Sequence, residues 1–257
     1  MTGADQFSLT GQVAVVVGGA GGIGAAIAAG LAKAGATLVI ADLELRACES
    51  VAAEIVRQGG KAIGFALNIC DEGAVEVAFA NFAQRYGRLD ILVNSAGTTR
   101  RASALNQTLA DWDRVMSVNT TGVFLSCRAA ARHMIPLGGG AIVNIASIMG
   151  LSGGGLYPNI SYQTSKGAIV NMTRSLALEW AANGIRVNAI APTWVRTDFI
   201  KGIVENPQLL ARVEAMIPLG RLAEPEDIVG AALFLASSAA SMVTGHILAV
   251  DGGFLAQ

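Results

Sequence analysis

Short runs of apolar, often β-branched residues alternate along this chain with longer stretches whose apolar positions recur at helical spacing. The first run, Val13–Val17, ends in glycines, as a strand buried on both faces does. An alanine-rich helix is predicted over 24–34, closed by Gly35. Further strands are predicted at 37–41, 62–67, 89–93, 141–146, 185–191 and 247–250. Helices fall between them at 43–58, 71–86, 111–134, 161–182 and 226–237. Strands and helices in strict alternation specify an α/β fold, a parallel sheet with helices on both faces. No linker or composition shift divides residues 1–257, so a single domain is expected. The least regular stretch, 193–220, carries Pro207 and Pro218 between a strand end and the next helix, where a mobile substrate lid is expected.

Composition narrows the function classes. Hydrophobic residues make up 53% and charged residues 14% of the 257, enough for a large core and for some apolar surface between subunits. A formal net charge of -1 with no basic stripe argues against nucleic-acid or membrane-surface binding. The absence of a long uncharged apolar run and of a signal-like start predicts a cytoplasmic protein. Cys48, Cys70 and Cys127 are far apart and odd in number, and read as buried free thiols in a reducing compartment. His133 and His246 stand alone, so no metal site is expected.

Two places carry candidate chemistry. After the first strand comes Gly18-Gly19-Ala20-Gly21-Gly22-Ile23-Gly24, leading directly into a helix. Glycines there permit a tight turn and let backbone N–H groups approach a pyrophosphate at the helix N-terminus. Eighteen residues past Gly24, at the end of the second strand, Asp42 can accept hydrogen bonds from adenosine ribose hydroxyls and would repel a 2′-phosphate. No Arg or Lys stands beside it before Arg46, so NAD is favoured over NADP. The second place is Tyr162-Gln163-Thr164-Ser165-Lys166, where tyrosine and lysine share a helix face, with Ser147 upstream at a strand end. A tyrosine of pKa about 10 is a poor base at neutral pH. A lysine ammonium one turn away is expected to pull it down. The serine hydroxyl would hold the substrate oxygen in line.

With these residues quoted, the sequence resembles the short-chain dehydrogenase/reductase family over nearly its whole length. The family's TGxxxGxG appears as Val17 to Gly24, NNAG as Asn94-Ser95-Ala96-Gly97, and YxxxK as Tyr162 and Lys166. Asn119 in Ser117-Val118-Asn119 matches the helix asparagine, Pro192-Thr193 the later proline-glycine motif, and Val250-Asp251-Gly252-Gly253 the ending. The resemblance implies a Rossmann fold with a doubly wound, seven-stranded parallel sheet and a catalytic tetrad of Asn119, Ser147, Tyr162 and Lys166. It implies that Tyr162 is the acid/base, that Ser147 orients the substrate oxygen, and that Lys166 lowers the tyrosine pKa and binds the nicotinamide ribose. Asn119, otherwise an ordinary helix residue, would hold a water linking Lys166 to solvent. Cofactor contacts are implied for Gly18, Gly22, Ile23, Gly24, Asp42, Asn68, Ile69, Asn94, Ala96, Gly97, Pro192, Val195 and Thr197. Three departures bear on cofactor affinity: Val17 for threonine, Ser95 for the second asparagine, and Asn68 for an aspartate near the adenine.

The implied activity is hydride transfer between NAD(H) and a secondary alcohol or ketone, with a polyol, sugar or small hydroxy/keto compound as substrate. A 3-oxoacyl thioester reductase, or a non-catalytic dinucleotide sensor or scaffold of the same fold, are the alternatives. Met149, Tyr157, Asn159 and Trp194 are pocket candidates, with 98–101 beside them. Arg100 and Arg101 could attract an anion, though paired loop arginines are more often solvated surface. Apolar helices over 115–134 and 168–180, which in this family build subunit interfaces, predict a homotetramer.

Overall fold

The computed structural model describes residues 3, 5–154 and 156–257. Seven parallel strands are β1 (Val13–Val17), β2 (Thr37–Asp42), β3 (Lys61–Ala66), β4 (Ile91–Asn94), β5 (Gly140–Ile145), β6 (Ile185–Pro192) and β7 (Ile247–Val250). They stand in the order β3-β2-β1-β4-β5-β6-β7. The chain therefore winds outward from β1 to β3, returns, and winds the other way from β4. That reversal opens a crevice between the carboxyl ends of β1 and β4, where open α/β sheets bind ligands.

Every residue of β1 is buried, because each face of the sheet meets a helix layer. Ala14 and Val16 pack with α1 (Gly22–Lys33), α2 (Leu45–Arg57) and α9 (Pro225–Ala236) through Ile27, Leu31, Ile55, Ile228 and Leu235. Val15 and Val17 point the opposite way, into α3 (Glu72–Tyr86), α5 (Val123–Met134) and α6 (Ile160–Trp180), through Phe79, Phe82, Leu125 and Ile169. Period-two alternation thus splits one apolar run between two cores. Each large side chain so buried contributes about 1.5–3 kcal/mol. The single-domain, doubly wound sheet expected from the sequence is the one observed.

Two predicted segments differ. The helix expected over 111–134 is three pieces: α4 (Leu109–Met116), a π-helical turn (Ser117–Gly122) and α5. The wider π turn fits an extra residue into the helix, and such insertions collect at functional sites. The stretch 193–220, read as irregular, contains α7 (Lys201–Val204) and α8 (Pro207–Ala215). Asn206 caps α8 by accepting from the N–H groups of Gln208 and Leu209, and Pro207 opens its first turn. Ile200, Ile203, Val213 and Ile217 close a small third core there, against Trp194.

The cysteine reading needs a correction too. Cys48 and Cys127 are buried free thiols, but Cys70 is exposed, on the turn after β3. The apolar positions of α5 are mostly buried inside the monomer, with Phe124 left 38% exposed. Leu178 on α6 is 82% exposed. Among the described residues no helix is long and apolar enough to cross a membrane.

Candidate active site

A cleft of about 780 Å³ lies over the carboxyl ends of the strands. Its floor begins at the glycine turn. Gly18 has φ +73°, and a Cβ there would strike the Ala96 backbone, so only glycine lets the loops after β1 and β4 meet at the crevice. A Cβ on Gly24 would strike the Gly18 carbonyl oxygen, and one on Gly22 the Thr197 side chain. Gly21 precedes α1 with no side-chain cap, which leaves the first-turn N–H groups bare toward the cleft. An anion is the natural partner of such a helix end. The cradle fits a dinucleotide pyrophosphate for the further reason that the missing side chains clear its approach.

Asp42 stands at the end of β2 and borders the same cleft. Its Oδ2 accepts from the Ala20 N–H at 3.2 Å and its Oδ1 from the Leu43 N–H at 2.8 Å, so the carboxylate is fixed beside the glycine turn. Asn68 and Ile69 border the cleft beyond β3; the Asn68 side-chain oxygen accepts from the Cys70 N–H at 3.0 Å.

At the other end, Ser147 follows β5 and accepts from the Met149 N–H at 3.1 Å, which fixes its hydroxyl at the cleft. Its hydroxyl also lies close enough to the Tyr162 phenol to draw that group's pKa down somewhat. Tyr162 and Lys166 lie one turn apart on α6, and the Lys166 Nζ sits 5.7 Å from the Tyr162 ring centroid. Lys166 is 4% exposed and donates to the Ile145 carbonyl at 2.6 Å. Burial lowers it to about 8. Burial also pushes Tyr162 up to about 12, only partly offset by the Ser147 hydrogen bond. The expected lowering of the tyrosine by its lysine is therefore not found. Lys166 is turned to a backbone carbonyl, and desolvation is the largest influence on the phenol.

The π turn places Asn119 under this pair, fully buried. Its Oδ1 accepts from the Thr98 N–H at 2.8 Å, and its Nδ2 donates to the Thr98 carbonyl at 2.9 Å and the Ser165 Oγ at 3.0 Å. Ser165 in turn donates to the Tyr162 carbonyl at 2.8 Å. One side chain thus ties the loop after β4 to α6. A Cβ on Gly97 would lie 3.5 Å from the Asn119 Oδ1 and 3.7 Å from the Lys166 Nζ, so the glycine keeps open the space between those two groups.

Gly18, Gly22, Ile23, Asp42, Asn68, Ile69, Ala96, Gly97, Ser147, Tyr162, Lys166, Pro192, Val195 and Thr197 all border the cleft, as do Met149, Tyr157, Asn159 and Trp194. Gly24, Asn94 and Asn119 do not. Asn94 was expected along the dinucleotide; instead its side chain is buried at the carboxyl end of the central strand, donating to Asn144 Oδ1 at 2.9 Å and Cys127 Sγ at 3.2 Å. Its strand position points it into the core, where a buried amide needs partners. Sequence reasoning missed Phe199, whose ring packs 5.7 Å from that of Tyr162, and Gln163, which donates to the Gly153 carbonyl at 2.9 Å. Neither belongs to a periodic pattern that points at the cleft.

A ligand cleft at the switch point of a doubly wound sheet, joining an anion-binding helix end to a buried hydroxyl–phenol–ammonium set, defines a dinucleotide-dependent α/β enzyme. A family model described as enoyl-(acyl carrier protein) reductase matches residues 18–255. The D-threitol dehydrogenase of Mycolicibacterium smegmatis is 42% identical over 249 residues, 97% of this chain and 95% of that one. The galactitol 2-dehydrogenase (L-tagatose-forming) of Cereibacter sphaeroides is 43% identical over 250 residues, 96% of each. A putative NAD(P)-dependent gluconate 5-dehydrogenase from Beutenbergia cavernae, solved with NADP at low occupancy, superposes with a TM-score of 0.94 at 41% identity, covering 98% of this chain and all of that one. The chain belongs to the short-chain dehydrogenase/reductase family. It is an oxidoreductase of secondary alcohols and their ketones.

Proposed function

We propose that the protein transfers hydride between NAD(H) and a secondary alcohol on a small hydroxylated compound, a polyol or sugar-like substrate. The observation that carries this reading is that Tyr162, Ser147 and Lys166 open onto the cleft that also holds the bare N-terminus of α1 and the Asp42 carboxylate. The relatives named for D-threitol and galactitol support the substrate class. NADP in the Beutenbergia cavernae structure leaves the choice of dinucleotide to residue 42 of this chain, whose carboxylate disfavours a 2′-phosphate.

In this reading Gly18, Gly22 and Ile23 hold the pyrophosphate, Asp42 the adenosine ribose, Asn68 and Ile69 the adenine, and Ala96 and Gly97 the middle of the dinucleotide. Pro192, Val195 and Thr197 fix the carboxamide, and Tyr162 and Lys166 the nicotinamide ribose. Gly24 acts by allowing close packing against Gly18, and Asn94 through its buried hydrogen bonds to Asn144 and Cys127. The bound nicotinamide supplies or accepts the hydride. Tyr162, neutral at physiological pH, gives its proton to the carbonyl oxygen in reduction and takes it back in oxidation. Ser147 holds that oxygen in line. Lys166 spends one N–H on Ile145 and keeps two for the ribose and for charge stabilisation. Asn119 holds the Thr98 loop against α6 and faces the space beside Gly97 where a relay water fits. Residues 193–220 form the lid, and the protein works as a homotetramer.

The test is absorbance at the NADH band with NAD or NADP against polyols, sugars, simple secondary alcohols and 3-hydroxyacyl thioesters. NAD-linked oxidation of polyols or sugars is expected. Turnover confined to thioesters, or NADH binding with no turnover of any class, would replace this reading.

A further inference from the structure

Two adjacent arginines follow the glycine loop after β4, and the fold treats them differently. Arg100 is bound to the Asp111 carboxylate at 3.0 Å. Arg101 has no carboxylate partner among the described residues; its guanidinium lies over the Tyr157 ring, 4.4 Å from the centroid, and both residues border the cleft. Asp42 and Asp198, the acids that border the cleft, do not pair with it either. A second tie joins the same two loops: Thr99 Oγ1 donates to Asn159 Oδ1 at 3.0 Å. That bond occupies the oxygen of the Asn159 amide, and its Nδ2 has no acceptor among the described residues. Asn159 is 7% exposed and borders the cleft.

We propose that Arg101, braced on Tyr157 and assisted by Asn159, receives a carboxylate on the substrate, so that the preferred substrates are polyhydroxy acids rather than neutral polyols. The inference rests on the alcohol-dehydrogenase reading above and names its substrate class. A guanidinium stacked on an aromatic face keeps its N–H edge free, and that edge matches a carboxylate bidentately. The stack also restricts the long side chain before binding, so less freedom is lost when the anion arrives. Asn159 is the N-cap of α6 and Tyr162 follows three residues later, a rise of about 5 Å, so the two positions are roughly one turn apart along the helix that borders the cleft. A substrate whose carboxylate lies a few carbons from its carbinol spans the two. Trp194 and Met149 form an apolar wall of the same cleft.

The experiment compares D-gluconate with D-glucitol, which differ in a carboxylate against a hydroxymethyl group, in the wild type, R101M and the control R100M. Two readouts are taken: NAD-linked kcat/KM, and binding to the NADH complex by titration calorimetry. The wild type should favour the acid by about tenfold or more in both, and R101M should erase most of that ratio through KM and Kd. R100M should keep it. An unchanged ratio in R101M, or a wild type that does not favour the acid, overturns the inference even if glucitol is oxidised. Acid-selective binding that R101M abolishes, with no turnover of either compound, would uphold the carboxylate site and remove the dehydrogenase reading instead.

Discussion

Replacing Asp42 with alanine tests the cofactor assignment at a single carboxylate. In the native chain that group is fixed by the N–H groups of Ala20 and Leu43 at 3.2 and 2.8 Å, and it borders the cleft next to the glycine turn. A 2′-phosphate about 4 Å away would meet a repulsion near 4 kcal/mol per unit charge at an effective dielectric of about 20. Asp42 is half-buried, and salt screens part of this, so about 2 kcal/mol is a fair net cost, roughly a 30-fold preference for NAD. Ribose hydroxyls donating to the carboxylate would add about 1.5–3 kcal/mol on the NAD side. D42A should therefore lower kcat/KM for NAD about 10- to 100-fold and raise that for NADP, bringing the two close to parity. The assay is initial rates with each dinucleotide at a fixed saturating alcohol, at low and high salt. The NAD preference of the wild type should shrink as salt rises. A wild type that uses both dinucleotides equally, or a D42A ratio within about threefold of the wild type, refutes the argument from repulsion.

Tyr162→Phe should reduce turnover by at least about a thousandfold while NADH binding, followed by fluorescence titration, stays within a few-fold; substantial residual turnover removes Tyr162 from its role. The pH profile follows from the two buried groups. Lys166 is lowered to about 8, so its ammonium is lost above that pH, and Tyr162 is raised to about 12, so it stays protonated. Ketone reduction needs both protons in place, so its kcat/KM should be level below about pH 8 and fall above it, whereas alcohol oxidation, which needs the phenol proton removed, should rise with pH; reduction that stays level to about pH 10 contradicts the lysine assignment. Asn119→Ala removes three side-chain hydrogen bonds, two to Thr98 and one to Ser165, worth about 3 kcal/mol together. Calorimetry should find Tm lower by roughly 6–12 °C, and a shift below about 2 °C would mean that the π turn holds without them.

Much of the architecture was legible in the residue order because its causes are local. A strand covered on both faces must be apolar at every position, so Val13–Val17 declares itself, and glycines appear where a Cβ would collide. The Gly18 to Gly24 turn, Asp42, Ser147 and the Tyr162/Lys166 spacing were all readable on such grounds, with the family resemblance adding Asn119. The two helices inside 193–220 were legible in principle, since Asn206-Pro207 is a helix-start pair, but their apolar positions serve a small satellite core and carry a weak period.

Other features depended on which groups fold next to one another. Whether 109–134 is one helix or two around a π turn is settled by Asn119 reaching Thr98 and Ser165, partners far away in sequence. The direction of the tyrosine shift reversed because burial, a property of the packed cleft, dominates the phenol, while the lysine ammonium is turned to Ile145. Side-chain direction also decided Asn94 and Arg101. The family resemblance implied that Asn94 lies along the dinucleotide, but its side chain turns into the core beside Asn144. Arg101, read both as a neighbour of the pocket and as solvated surface, is exposed at the cleft rim with its guanidinium over Tyr157. Periodicity determines which face a residue takes within its own element. Only the tertiary structure decides what that face meets, and hence which polar groups are satisfied and which remain free for a ligand.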